Sequence, residues 1–323
     1  MTVEVLHGGL LATLQDRGRV GHAAIGVGRA GPMDDVSFRL ANALVGNDDD
    51  AAAIEFALAG PRLRFHADAV VALAGAPFDA WLDGRPVPLW RPLAVAAGSV
   101  LDCGRARIGL HATLAIAGGF VAGRVLGSAA TDLNAGLGPL AGRALRTGDR
   151  LERHGPARLR GVPPRLRWSL DPRPWFDADP ARPIRLLDAP ESARLDAGSR
   201  ESLFSDAFRV DPRSNRVAFR LAGPLLRLAA RHEAISEAVA RGTVQLPPGG
   251  QPIVMMAEHP TTGGYPRIAQ VAAIDLQRLA QRAPGAPLHF APIGLDQAQT
   301  RYLAREHALA RLLETIARRL ADA

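Results

Sequence analysis

The chain has 323 residues, 47% of them hydrophobic, which is enough to bury one large core or the cores of two domains. All 39 basic residues are arginine, because the sequence contains no lysine. Its composition therefore excludes a Walker-type phosphate-binding lysine, a Schiff-base lysine and a lysine that carries biotin. The formal charge of +7 comes from scattered arginines in a chain with 5% aromatic residues, so nucleic-acid binding is not expected.

The cysteine content and the lengths of the apolar runs indicate the cellular compartment of the protein. A single cysteine, Cys103, cannot form an internal disulfide, and we interpret it as a core residue in a reducing compartment. The first residues lack a basic segment followed by an apolar run, and no stretch reaches about 18 apolar residues. We therefore expect a cytoplasmic protein with no membrane partner. The dispersed histidines, without an H-x-H or H-E-x-x-H pattern, predict no metal site.

Short apolar runs bounded by glycine and proline predict a mainly β chain. Strands are expected within residues 67–76, 92–104 and 112–120. "WLDGRPVPL" (81–89) has an Asp-Gly centre between strand-like flanks and predicts a hairpin. "PMDDVSFRLANALVG" (32–46) predicts a helix, with proline and aspartates at its start and glycine at its end.

The second half adds helices and a repeat. Short helices are expected at 188–195 and 272–283, and an amphipathic helix at 296–323. "FALAGPRLRF" from Phe56 and "FRLAGPLLRL" from Phe219 match in register. Because an apolar stretch, a turn and another apolar stretch follow each copy, we expect two similar β-rich domains in tandem. The proline- and arginine-rich stretch 156–183 is interpreted as the join between them.

Three glycine-containing segments each allow two interpretations. "GVGRAG" (26–31) fits G-x-G-x-x-G, but no good strand precedes it and no strand–helix alternation follows, so a glycine-rich turn is favoured. "LQDRGR" (14–19) is either a turn with a local Asp–Arg pair or an arginine held by Asp16 to receive a carboxylate or phosphate. "GGF…LGSAATD" (118–132) is either a loop or a set of backbone N–H groups aimed at an anion.

The stretch "GTVQLPPGGQPIVMMAEHPTTGGYPRIAQ" (242–270) is the most informative. Two strands joined by a proline–glycine turn bring Glu258 and His259 to the start of a Thr-Thr-Gly-Gly loop. Glycine allows close approach of the backbone to a ligand, and hydroxyl and amide groups can stabilise an oxyanion. Histidine beside a carboxylate is a candidate proton carrier, and a tight structural turn is the alternative.

Several motifs in one order resemble the carboxyltransferase subdomain A/B family, also called allophanate hydrolase subunit 2 or the KipA/PxpC family. The resemblance covers roughly residues 3 to 295. The motifs that carry it are "GLLATLQDRGRVGHAAIGVGRAGPMDDVSFRLANALVGN", "IEFALAGPRLRF", "LAIAGGF", "LGSAATD", "SNRVAFRLAG", "GTVQLPPGGQPIVMMAEHPTTGGYPRIAQV" and "RLAQRAPGAPLHF". It implies two cyclophilin-like β-barrel domains. We expect these at 1–160 and 184–295, with a linker at 161–183 and the C-terminal helix at 296–323.

The resemblance also implies an activity shared with partners. Family members associate with a KipI/PxpB-like subunit (carboxyltransferase subdomain C/D) and a PxpA (LamB/YcsF)-like subunit in an ATP-dependent 5-oxoprolinase that opens 5-oxoproline to L-glutamate. One alternative is the carboxyltransferase component of a biotin-dependent urea or amide carboxylase, with biotin carried by another chain. The other is a non-catalytic KipA-type regulator that binds a kinase inhibitor. ATP would be bound together with the partner subunit.

The matching motifs supply the candidate site. Glu258 or His259 is expected to move a proton, the loop at 261–264 to hold developing charge, and Arg19 or Arg216 to hold the substrate carboxylate. The expected catalytic residues are Glu258, His259, Thr261, Thr262 and Tyr265. The expected substrate-binding residues are Gln15, Asp16, Arg19, Asp34, Asn42, Ser128, Asn215, Arg216, Gln245, Gly263 and Gly264.

Overall fold

The structure, a computed structural model, describes residues 2 to 154, 168 to 230 and 235 to 322. Strands dominate, and they are numbered in chain order: β1 (Thr2–His7), β2 (Leu11–Gln15), β3 (Ala53–Ala57), β4 (Arg62–Phe65), β5 (Ala69–Gly75), β6 (Trp81–Leu82), β7 (Arg85–Pro86), β8 (Pro92–Val95), β9 (Val100–Asp102), β10 (His111–Ile116), β11 (Arg150–Glu152), β12 (Ile184–Leu187), β13 (Phe208–Val210), β14 (Ala218–Ala222), β15 (Glu237–Ala238), β16 (Thr243–Gln245), β17 (Ile253–Met255), β18 (Thr262–Gly263), β19 (Arg267–Val271), β20 (Pro287–Leu288) and β21 (Phe290–Pro292).

Helices are few and mostly short. They are α1 (Asp35–Leu44), the single turn α2 (Pro139–Gly142), α3 (Ala197–Ser205), α4 (Leu276–Ala280) and α5 (Leu295–Ala321), with 3-10 turns at Ala23–Ile25, Ser192–Arg194 and Ala273–Asp275. The expected mainly β fold with a few short helices and a C-terminal helix is therefore confirmed. In the described part of the chain, no helix is long and apolar enough to cross a membrane.

The chain forms two compact units. Unit 1 comprises residues 1–19, 30–177 and 308–323, and unit 2 comprises residues 20–29 and 178–307. The first residues of the expected linker lie outside the described part of the chain, and the domain boundaries stay a prediction. Beyond the undescribed segment, Trp168, Trp175 and Phe176 pack against a hydrophobic core of unit 1. The aromatic side chains give this proline-rich stretch apolar surface to bury.

Unit 1 contains two antiparallel sheets with a core between them. Their strand orders are β11-β1-β4-β9-β6-β7 and β2-β3-β10-β5-β8. Large side chains from both sheets, such as Val5, Phe65 and Leu114, form this core. The hairpin predicted at 81–89 is confirmed, because Trp81 pairs with Pro86 across a turn whose two central residues both have positive φ.

Helix α1 packs on the other face of the five-stranded sheet. Along β5, Val71 and Leu73 contribute to the core between the sheets, whereas Ala72 and Ala74 contribute to the core that contains α1. Alternate side chains of a strand point to opposite faces, so the small alanines leave room for the helix. The alternation of large and small residues explains why this helix, predicted at 32–46, is buried on nearly every side.

Unit 2 is built on an eight-stranded sheet with the order β20-β13-β14-β17-β16-β19-β12-β21. Its two outermost strands, β20 and β21, are separated in the chain by a single residue, His289. The sheet must therefore curl until its edges are neighbours, which gives a nearly closed barrel. A separate two-stranded ribbon, β15 with β18, carries part of the Thr-Thr-Gly-Gly loop.

The repeated phrase occupies similar positions in the two units. Its first residues lie at the end of β3 in unit 1 and within β14 in unit 2, and each of these strands has a neighbour on both sides. A Cβ on Gly60 would lie within 3 Å of Cys103 and Phe56, and a Cβ on Gly223 would lie within 3 Å of Phe208. Both copies therefore need glycine because a side chain packs directly against the backbone.

Candidate functional site

The end of β17 in unit 2 places a buried ion pair at the start of the Thr-Thr-Gly-Gly loop. Arg216 Nε donates to Glu258 Oε1 at 2.5 Å, and the backbone N–H of Glu258 donates to the Arg216 carbonyl at 2.8 Å. The two residues are 4% and 3% exposed. A carboxylate paired in this way is held as an acceptor, so Glu258 and Arg216 fix the position of the following residues. Asn215 accepts the backbone N–H groups of Val217 and Ala218.

His259 follows the ion pair and has a defined tautomer. Its Nδ1 lies 2.7 Å from the carbonyl oxygen of Pro260. Because a carbonyl only accepts, Nδ1 carries the hydrogen and Nε2 is the nitrogen with a free lone pair in the neutral ring. Burial lowers the pKa of His259, the hydrogen bond to Pro260 opposes this, and the charge of Arg241 lowers the pKa further. The ring is therefore neutral at pH 7.

The buried side chain of Gln245 supports the Thr-Thr-Gly-Gly loop from the protein interior. Its side chain is 2% exposed, and Nε2 donates to the Tyr265 carbonyl at 3.2 Å. A Cβ on Gly263 would lie within 3 Å of that same nitrogen, so a larger residue here would require the Gln245 side chain to move. Thr262 and Gly264 are exposed, and the Tyr265 side chain is 45% exposed. The loop thus presents hydroxyl and backbone groups to solvent on a fixed base.

An arginine at the end of the same motif is neutralised by two carboxylates. Arg267 Nε lies 3.3 Å from Glu191, and the guanidinium also pairs with Glu237. Arg267 borders a cleft of about 330 Å³ that also contains Thr243 and Gln270. Sequence reasoning missed Glu191 and Glu237, because each lies far along the chain from the motif it contacts. The sequence of β19 alone does not predict that Glu191 and Glu237 pair with Arg267.

A second group of expected site residues meets in unit 1 around a buried carboxylate. Asp16 Oδ1 accepts the Ser128 hydroxyl at 2.5 Å and the Gly18 N–H at 2.9 Å. Asp16 Oδ2 accepts the Ala129 N–H at 2.5 Å, and Arg124 lies 3.8 Å away. The carboxylate therefore ties the "LQDRGR" turn to the loop at 128–130. The expected neighbours of Asp16 were local arginines, whereas its shortest bonds are to residues more than a hundred positions away.

Arg19, the buried arginine of this group, donates hydrogen bonds to backbone carbonyl groups rather than presenting its guanidinium to a ligand. Arg19 is 2% exposed, its Nε donates to the Val125 carbonyl at 3.1 Å and its Nη2 donates to the Ala130 carbonyl. Gln15 Nε2 donates to the Thr131 carbonyl at 3.0 Å. Among the described residues, Gln15 Oε1 and the Thr131 hydroxyl have no hydrogen-bond partner although both are buried. An unpaired buried acceptor costs about 1–3 kcal/mol, so a bound donor would be favourable here.

The remaining expected residues of unit 1 lie at the two ends of α1. Asp34 caps its N-terminus by accepting the Ser37 N–H at 3.1 Å and the Ser37 hydroxyl at 2.7 Å. Asn42 lies near its C-terminus, where Nδ2 donates to the Ala51 carbonyl at 3.0 Å. Among the described residues, the side-chain hydrogen bonds of Asn42 go to Ala51 and Asn47 and not to the Asp16 group. No set of three or more His, Cys, Asp or Glu side chains in the described ranges is arranged to hold a metal ion.

Comparison with known proteins identifies the family of this chain. Residues 25–292 match the model of the carboxyltransferase domain, subdomain A and B. The chain belongs to this family. It is 36% identical over 300 residues to a 5-oxoprolinase subunit of Escherichia coli, covering 92% of this chain and 93% of that protein. The protein of the same name from Haemophilus influenzae is 36% identical and covers 89% and 90%.

Larger relatives contain the same domain as one part. The urea amidolyase of Saccharomyces cerevisiae is 32% identical over 98% of this chain, which spans only 18% of that protein. The crystal structure of the K. lactis urea amidolyase superposes with a TM-score of 0.88 at 28% identity, over 98% of this chain and 20% of that one. These neighbours confirm the carboxyltransferase-type fold that the resemblance implied.

Proposed function

We propose that this chain is the PxpC-type subunit of an ATP-dependent 5-oxoprolinase that opens 5-oxoproline to L-glutamate. The observation that carries the proposal is the match to two bacterial proteins named as the same 5-oxoprolinase subunit, over about nine-tenths of both chains. Because these relatives are named as one subunit of an enzyme, we expect this chain to act together with partner subunits. We propose a KipI/PxpB-like subunit and a PxpA-like subunit as these partners, in the cytoplasm where ATP is available.

Opening the lactam requires an activated carbonyl and a water molecule that loses a proton. In the proposed reaction the lactam oxygen attacks the γ-phosphorus of ATP and ADP leaves. Water then adds to the activated carbon, and collapse of the adduct releases phosphate and breaks the ring C–N bond, with a proton going to the ring nitrogen. The protein must position the ring, stabilise charge on the oxygen and accept the proton of the attacking water. We assign the last two tasks to the residues around the Thr-Thr-Gly-Gly loop of this chain.

His259 is the residue proposed to accept the proton. Its Nδ1–H is bonded to the Pro260 carbonyl, which orients the ring and leaves Nε2 as the basic nitrogen. Its lowered pKa keeps that nitrogen unprotonated at pH 7. Glu258 is proposed as a positioning residue, because its ion pair with Arg216 holds the chain directly before His259.

The loop at 261–264 is proposed to stabilise the developing oxyanion. Backbone N–H groups and the hydroxyls of Thr261 and Thr262 are the groups that such a site uses. Gln245 fixes the loop from the protein interior, so the donors need little reorganisation during the reaction. Tyr265 and Asn215 are proposed to border the substrate.

Among the residues that the structure describes, the motifs of this chain lack the usual groups of a nucleotide-phosphate site. There is no lysine, and the Gly26–Gly31 segment follows a 3-10 turn instead of a strand. Arg19 and Arg216 donate to backbone carbonyls and to Glu258 respectively. We therefore propose that partner subunits supply the phosphate-binding groups, and that any biotin would have to be carried by another chain.

Reconstitution tests the proposal. The chain is combined with its two partner subunits, ATP and 5-oxoproline, and glutamate formation is measured against a mixture that omits only this chain. We expect glutamate in the full mixture and none in the omission. A correctly assembled complex that forms no glutamate would contradict the proposal.

Carboxyl transfer to urea is the second candidate, favoured by the similarity to yeast urea amidolyase over nearly the whole chain. Because this chain corresponds to less than a fifth of that protein, the activity would require other chains. Transfer of a carboxyl group from a separate biotinyl protein to urea would support this candidate.

A further inference from the structure

A cleft of about 430 Å³ lies in unit 1. Its walls are Leu14 of β2, the loop at 121–125, the turn at 138–140 and the edge strand β11. Leucine and valine side chains form the apolar part of the wall. Arg124, Arg150 and Glu152 are its charged members. A space of this size and mixed lining is suited to a small charged molecule with a short aliphatic body.

Backbone hydrogen bonds fix the loop at 121–125, which forms one wall of the cleft. The Val121 N–H donates to the Glu152 carbonyl at 2.8 Å, which joins the loop to β11. Val125 and Ser128 exchange two backbone hydrogen bonds, and the Val125 carbonyl accepts from Arg19. The loop is therefore fixed to the buried Asp16 group. The cleft is a preorganised part of the fold rather than a gap beside a loose loop.

The turn that forms the third wall adopts a strained conformation. Leu140 and Ala141 have φ of 54° and 58°, a left-handed conformation that costs about 1–2 kcal/mol for each residue with a side chain. A Cβ on Gly138 would lie 2.6 Å from the Ala130 carbonyl, so the turn is pressed against the Asp16 group. Strain of this kind persists where the surrounding structure imposes it, often at ligand sites.

The charged groups of the cleft have unused hydrogen-bonding capacity. Arg124 is half exposed and uses Nη1 for the Gly127 carbonyl, with Asp16 and Asp50 at 3.8 and 3.6 Å. Within the part of the chain that the structure describes, neither Arg150 nor Glu152 forms an ion pair. Arg150 and Glu152 thus have no ion-pair partner among the described residues, whereas Arg124 would have to exchange its long contacts with Asp16 and Asp50 for a ligand carboxylate.

We propose that this cleft binds an acidic α-amino acid. Two carboxylates of the ligand would pair with Arg124 and Arg150, its ammonium group would pair with Glu152, and its methylene groups would lie on the apolar wall. Arginine favours carboxylates because its planar donors match them in pairs. A ligand with two negative groups and one positive group is the complement of the charges present. A neutral amino acid lacks the second carboxylate and so loses one arginine pairing. A simple dicarboxylic acid lacks the ammonium group and so loses the pairing with Glu152.

The site is connected to the buried group of unit 1. Arg124 both lines the cleft and lies near Asp16, so a ligand carboxylate would compete with Asp16 for this guanidinium. The proposal does not depend on the proposed function. Binding can be measured on the chain alone, whereas 5-oxoprolinase activity needs the partner subunits, so the two can fail separately.

Isothermal titration of the chain tests the proposal, with L-glutamate, L-glutamine and glutarate as probes. We expect L-glutamate to bind at least tenfold more tightly than either of the others, because each lacks one charged pairing. Arg150→Gln is expected to weaken L-glutamate binding at least tenfold. Arg64→Gln is the matched control, because Arg64 and Arg150 both lie opposite Glu4 on neighbouring strands, and only Arg150 borders the cleft.

Glu152→Gln gives a sharper result. It is expected to reduce L-glutamate binding to the level of glutarate while it leaves glutarate binding unchanged or improved. Absence of L-glutamate binding to the folded wild-type chain would overturn the proposal. Equal binding of L-glutamate and L-glutamine, or equal losses in Arg150→Gln and Arg64→Gln, would also overturn it.

Discussion

Removing the charge of Glu258 is predicted to destabilise unit 2 strongly. The substitution Glu258→Gln keeps the size of the side chain but leaves the Arg216 guanidinium without its 2.5 Å carboxylate partner in a site where both residues are under 5% exposed. Two charges about 4 Å apart at an effective dielectric constant of about 20 attract by about 4 kcal/mol. Measured losses on breaking buried pairs are similar, about 3–5 kcal/mol.

Urea unfolding followed by circular dichroism measures this loss. With an m-value of about 3 kcal/mol/M, the midpoint should fall by about 1 M or more. Arg200→Gln is the control, because Arg200 pairs with Asp188 at 3.5 Å on the exposed surface of the same unit. It should cost about 0.5 kcal/mol or less.

A double variant separates the charge from the packing. Arg216→Met combined with Glu258→Met should be more stable than Glu258→Gln alone, because no uncompensated charge stays buried. A Glu258→Gln variant within about 1 kcal/mol of the wild type would refute the reasoning. It would mean that water reaches the pair and that the ion pair does not fix the start of the loop.

Three further predictions concern the rest of the molecule. Because burial lowers the pKa of His259, kcat/KM of the assembled enzyme should be flat from pH 7 to 8 and fall only below the ordinary histidine pKa of about 6.5; a fall beginning above pH 7 would contradict this. Gly142→Ala should cost at least about 2 kcal/mol in urea unfolding, because φ is 70° and the new Cβ would clash with the Gly136 backbone; an unchanged midpoint would exclude the left-handed turn. Cys103 should not react with a thiol reagent at pH 8 until the protein is unfolded, because burial raises its pKa; rapid labelling of the native chain would show an open core.

The local pattern of the sequence is sufficient to predict individual strands and helices. Alternating large and small residues in β5, the Asp-Gly hairpin and the capped start of α1 are properties of a few neighbouring residues. The expected apolar stretch at 92–104 proves to be two strands, β8 and β9. The turn between them contains Gly98, whose φ of 87° suits glycine and marks the break between the two strands.

The partners of the candidate site residues cannot be predicted in the same way. Asp16 and Ser128 are both predicted site residues, but their hydrogen bond joins residues 112 positions apart. Arg19 and Arg216 were expected to hold a substrate carboxylate. Both are buried and donate to groups within the protein, a property that depends on the packing of distant segments. Their roles in substrate binding stay a prediction.

Glutamate formation by a His259→Ala variant in the assembled complex tests the central claim most directly. Under single-turnover conditions with ATP and 5-oxoproline, the account predicts a rate at least about 100-fold below wild type, with unchanged assembly. His307→Ala, at an exposed position of α5, should retain the wild-type rate. A His259→Ala complex that forms glutamate at the wild-type rate would contradict the assignment of the chemistry to this loop.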